Sequence, residues 1–121
     1  MSGWLARLAA VAAAALALAA PAAAVGDLAV SPSSVQLGDS FTLSGCGYPV
    51  PTSISIEVSG PKKSGIHYFT AGEPIGADGC FSQSWTAWWS ATGTYQITSW
   101  WRDGKGATRK GAVVKLLVTG P

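Results

Sequence analysis

The chain contains no asparagine, one histidine, one methionine and two cysteines in 121 residues, and only 12% of it is charged. Each scarcity removes a class of chemistry. One histidine and two cysteines cannot fill a four-ligand zinc shell, so no metal site is expected. His67 has no serine or cysteine partner that spacing supports, which leaves no nucleophile and base pair; it reads either as a functional group or as an exposed strand residue. The six carboxylates are scattered among turns, and no pair is spaced as an acid and base would be. No G-x-S-x-G elbow, phosphate loop or calcium loop is present. No catalytic residue and no cofactor is therefore assigned.

Long apolar runs are nearly absent too. The one that exists is 8–20, thirteen residues of Ala, Leu and Val, preceded by Arg7, broken by Pro21 and followed by Ala22, Ala23 and Ala24. Charge, apolar run and small-residue site in that order predict a cleaved signal peptide over 1–24 and a mature chain over 25–121. A membrane anchor is the alternative, but a span needs roughly 20 strongly apolar residues. No cysteine follows the run to take a lipid. No sorting motif or second apolar span follows, so the protein is expected outside the cell or in its envelope. The mature part keeps seven of the eight Lys and Arg and all six Asp and Glu. Its net charge of +1 argues for neither nucleic acid nor an anionic membrane by net charge alone.

What is plentiful is glycine and proline, which punctuate the mature chain at short intervals. Between them lie runs of four to nine residues in which apolar and polar side chains alternate, and no window keeps a helical spacing. Strands are predicted over 27–31, 40–46, 53–59, 66–71, 80–87, 94–102 and 111–119, with turns over 33–39 and 73–79. Seven short strands in about a hundred residues make a single all-β domain, an immunoglobulin-like antiparallel sandwich. Alternation selects the core: Phe41, Leu43, Ile54, Ile56, Val58, Phe81, Trp85, Tyr95, Ile97, Trp101, Val114, Leu116 and Val118. Tyr95, near the start of its strand, is placed to tie its hydroxyl to nearby backbone.

Two cysteines in an exported chain read as one disulfide, with two free thiols as the alternative. In such a sandwich the strands 40–46 and 80–87 are antiparallel neighbours. Cys46 ends the first and Cys80 begins the second. Both are out of phase with their strand's core residues, so the bridge is expected on the outer face.

The segments Val30-Ser31-Pro32-Ser33-Ser34-Val35, 38–48 (Gly-Asp-Ser-Phe-Thr-Leu-Ser-Gly-Cys-Gly-Tyr), Asp78-Gly79-Cys80-Phe81 and Gly93-Thr94-Tyr95 resemble the corresponding parts of secreted bacterial immunoglobulin-like domains. More distantly, the opening is similar to that of neocarzinostatin-type sandwiches. The absence of asparagine and the Ala-rich start fit a high-GC bacterial coding sequence. The resemblance implies the fold. It implies no ligand, because adhesins, envelope proteins, accessory domains and stand-alone binders share that fold, and neocarzinostatin-type proteins carry a different cysteine pattern.

Tryptophan exceeds what such a fold needs. Trp85, Trp88, Trp89, Trp100 and Trp101 fall within 17 residues. Alternation turns Trp85 and Trp101 inward and Trp100 outward, and leaves Trp88 and Trp89 in a connection. The loop that follows, 102–110, is basic and glycine-rich. Trp88, Trp89 and Trp100 are therefore expected to share one contact surface with Arg102, Lys105, Arg109 and Lys110. Flat rings would stack, and the cations would attract an anionic partner in a salt-sensitive way. The function expected is that of a secreted, non-catalytic module binding a cell-surface glycan, envelope polymer or protein. A purely structural envelope or particle component, with the rings used in packing, is the alternative, and a small enzyme is the third. Exposure of the three rings separates the first two.

Overall fold

A computed structural model describes residues 25–121; the expected signal peptide lies outside the described residues. Nine strands and no helix are found there: β1 (Ala29–Ser31), β2 (Ser34–Gln36), β3 (Ser40–Gly45), β4 (Ser53–Ser59), β5 (His67–Phe69), β6 (Glu73–Pro74), β7 (Phe81–Thr86), β8 (Gly93–Arg102) and β9 (Thr108–Thr119). They form two packed sheets, an immunoglobulin-like sandwich. One sheet has the order β1-β3-β7. The other has the order β2-β9-β8-β4-β5, with β6 also paired to β4. The core rises from strict alternation. Leu43, Ile54, Ile56, Val58, Tyr95, Ile97, Leu116 and Val118 are buried from every second position of β3, β4, β8 and β9. Each such side chain contributes about 1.5–3 kcal/mol. The expected core is found either in this cluster or packed against it.

Three features depart from the sequence expectation. The stretch 33–39, expected as a turn, holds β2, which runs parallel to β9 and pairs Val35 with Val118. Pro32 offers no N–H to continue β1. The chain crosses to the other sheet there and buries Val35 in its core. The sheets are therefore not wholly antiparallel. Second, the expected 73–79 turn begins with β6, and the short β5 joins β4 in the second sheet, so β7 is left as a free edge of the first. Third, β9 begins at Thr108, inside the expected loop, and is bulged. Thr98 pairs with Val113 but Trp100 pairs with Lys110, so Ser99 faces both Gly111 and Ala112. The extra residue reverses the phase of β9. Val114, Leu116 and Val118 point inward beyond it, while Lys110 shares the outer face with Trp100.

One end of the sandwich is tied shut. Cys46 and Cys80 are bridged with Cα atoms 4.0 Å apart, directly beyond the Gly45–Phe81 pair and in the outer phase. Beside the bridge the Tyr48 hydroxyl donates to the Asp27 carbonyl at 2.6 Å and lies 2.7 Å from Ser99 Oγ. Ser99 Oγ in turn accepts the Ala112 N–H at 2.9 Å, which satisfies the bulge. Asp27 closes the circuit by accepting the Cys46 N–H on Oδ1 and donating its own N–H to the Cys46 carbonyl. Burial raises the Tyr48 pKa, so the phenol stays a donor. Gly111 is required here, because a Cβ would sit 2.5 Å from Ser99 Oγ.

Candidate functional site

The far end of β7 is open. Ala87 is pinned by two backbone bonds, its N–H to Asp39 O and its carbonyl to Gly38 N, both 2.9 Å. Trp88 N–H turns back to Thr86 O at 2.9 Å. That turn separates two adjacent indoles. Trp89 is 5% exposed and stacks on Tyr95, with centroids 4.6 Å apart and planes at 25°, while Phe41 lies tilted beside it at 5.9 Å. Trp88 stays outside at 59% exposure. The Tyr95 hydroxyl donates to the Ala91 carbonyl, fixing the connection that carries both rings.

Tyr68 meets them from the other sheet. It is the register partner of inward-facing Val58, so it leans across the free edge of β7. It stands perpendicular to Trp85 (6.2 Å, 86°) and to Trp88 (5.7 Å, 87°). Edge-to-face pairs of this kind contribute about 0.5–1.5 kcal/mol each beyond their burial. A concavity lies on either side of this strip. One, of about 340 Å³, is lined by 65–68 and by Trp88, Trp89 and Ser90. The other, of about 350 Å³, is lined by Thr70, Glu73, Gln83, Ser84 and Trp85. In the second, Trp85 Nε1 donates to Gln83 Oε1 at 3.0 Å, and Gln83 Nε2 donates to Glu73 Oε2 at 3.3 Å. Neither concavity has a Lys or Arg in its lining.

The single surface expected from the sequence is divided by the structure among separate places. Trp88 is at the open edge and Trp89 is in the core. Trp100 lies on the outer face of the second sheet, where Nε1 donates to Glu57 Oε1 at 3.1 Å and the other carboxylate oxygen is 2.9 Å from His67 Nε2. Hydrogen bonding from His67, then from Trp100, with the Lys110 charge behind, holds Glu57 below the usual carboxylate range against its partial burial. The basic loop follows the far end of β8, a strand of ten residues or about 30 Å, whereas Trp88 lies near its beginning. Asp103 organises that loop, accepting the N–H groups of Lys105 and Ala107 on Oδ1 and Arg109 Nε on Oδ2, all at 2.9 Å. Its pKa is lowered, first by Arg109 and then by the Ala107 amide. Arg109 is therefore paired within the loop. Lys110 stands opposite Trp100, and alternation along β8 places Arg102 on that same outer face. Tyr68, which completes the edge, was missed; a lone aromatic in a three-residue strand carries no periodic signal.

The sequence matches no family model and no curated protein. Solved structures resemble the fold. A fibronectin(III)-like module of Clostridium thermocellum CbhA is 14% identical with a TM-score of 0.54, covering 79% of this chain and 98% of the module. The soluble domain of PmoD from Methylocystis is 8% identical with a TM-score of 0.53, covering 83% and 95%. The PKD domain of an M14-like peptidase from a Thermoplasmatales archaeon is 14% identical with a TM-score of 0.51, covering 78% and 92%. At these identities the likeness establishes an immunoglobulin-like β-sandwich and nothing about ligands.

Proposed function

We propose that this chain is an exported, non-catalytic module that holds a neutral polysaccharide along the open edge between its sheets. The carrying observation is Trp88, exposed and perpendicular to Tyr68, with a concavity on each side of the aromatic strip. A ring that is fixed at one edge and bare on a face offers large contact area with little entropy left to lose. Sugar rings present flat C–H faces to such an indole. Their hydroxyls can be met by the neutral polar groups of Thr70, Gln83, Ser84 and Ser90. The lack of cations in both linings favours a neutral polymer at this edge, unlike the anionic partner expected from the sequence. The packing alternative draws on Trp89, which is buried; Trp88 is the ring that packing leaves over.

Affinity electrophoresis of the exported protein through soluble neutral polysaccharides tests this. Retardation by at least one of a β-glucan, a mannan or a xylan is expected, unchanged when salt is raised. Trp88→Ala should weaken it at least about tenfold, the loss of one good contact residue. Retardation that salt abolishes, or that Trp88→Ala leaves intact, would sink the proposal, as would none with any neutral polymer.

A further inference from the structure

The outer face of the second sheet differs in kind from the open edge. Strand alternation, with the bulge, sets its side chains. Glu57 is paired with Phe69 and Thr98, Thr98 with Val113, Trp100 with Lys110, Gln96 with Lys115, and Thr94 with Leu117. Phe69, Val113 and Leu117 are exposed there. Trp100 reaches across to Glu57, and Thr98 between them is only 3% exposed. The result is a sheet face on which Phe69, Val113 and Leu117 stand exposed among polar side chains, and neither of the two concavities is lined by them. Along its β8–β9 side stand Arg102, Lys110 and Lys115. The one acid on the face, Glu57, is covered by Trp100 and bonded to His67. The other five carboxylates lie on loops, on the clasp or at the β6 edge.

We infer that this face docks on an anionic lipid surface, with the exposed apolar side chains at the headgroup boundary and the three cations against the lipid charges. The pairing of features selects the occupant. A soluble anionic polymer would use the cations but gain nothing from Val113 and Leu117. A neutral polymer would use Trp100 but not the cations. A headgroup layer takes apolar side chains and cations together. The mature net charge of +1 does not oppose this, because attraction near a surface is set by the charges within about 10 Å of it at 0.1 M salt. The inference concerns a different face from the proposed glycan edge and stands independently of it.

The test is co-sedimentation of the exported protein with phosphatidylcholine vesicles containing or lacking phosphatidylglycerol. Binding is expected only to the anionic vesicles, and is expected to fall as salt approaches about 0.5 M. Near an anionic surface each Lys contributes about a fivefold gain in partitioning, so Lys110→Ala with Lys115→Ala should cost roughly 25-fold. Val113→Ser with Leu117→Ser should weaken binding as well, and Trp88→Ala should leave it unchanged. Any of four results would overturn the inference. They are equal binding to uncharged vesicles, no loss in the lysine double variant, binding to dextran sulfate that survives the Val113 and Leu117 substitutions, and a vesicle-free dimer that those substitutions dissolve. Loss of neutral-polysaccharide retardation in Trp88→Ala bears on the edge alone, so the two proposals fail separately.

Discussion

The two ends of β7 spend their polar and aromatic groups differently. At its first residue the chain is closed by a covalent bridge and a ring of satisfied hydrogen bonds through Asp27, Tyr48, Ser99 and Ala112. Toward its other end Tyr68 meets Trp85 and Trp88 edge to face, Trp88 tilts against Trp89, and the Trp88 indole is largely bare. The closed end is built for stability. The open end keeps apolar surface exposed, which is the condition of a contact site.

That contrast can be broken by measuring where stability resides. The largest expected effect is at the closed end. Reducing or deleting the Cys46–Cys80 bridge, which closes a separation of 34 residues, should cost about 4 kcal/mol in the chain-entropy account. Denaturant unfolding with and without reductant measures it, and a cost below about 1 kcal/mol would remove the bridge from the comparison. Next comes Tyr48→Phe, which keeps the ring but leaves the Asp27 carbonyl and Ser99 hydroxyl without their partner. About 1–3 kcal/mol should be lost, with the amide of Ala112 exchanging faster in hydrogen-exchange experiments. The smallest effect belongs to the open end. Trp88→Ala removes an exposed ring that makes two aromatic contacts, and should change unfolding free energy by about 1 kcal/mol or less. A loss exceeding that of Tyr48→Phe would show the edge to be structural.

The sequence made some of this legible because strands obey a period of two. Leu43, Ile56, Ile97 and Leu116 announced themselves by alternation, and the same rule put Cys46 and Cys80 opposite each other in outer phase. It failed where a single residue or turn decides the outcome. β2 has three residues and one buried side chain, too few to show a period. The bulge at Gly111 and Ala112 moves Lys110 beside Trp100, and only Gly111 hints at it. Trp88 and Trp89 are separated by one backbone bond to Thr86. Tyr68 acquires its role from residues in another strand. The fold was therefore readable along the chain, while the candidate site is made by contacts between segments that carry no local signature.

The parallel pairing of β2 with β9 has a mechanical consequence. A pull that draws residue 33 and residue 120 apart acts along both strands in opposite senses. The β2–β9 hydrogen bonds, together with Leu117 N–H to Ser33 O and Leu37 N–H to Thr119 O, are then loaded in shear and must yield together rather than peel one by one. A short strand that buries one side chain would thus resist the separation of those two points in shear.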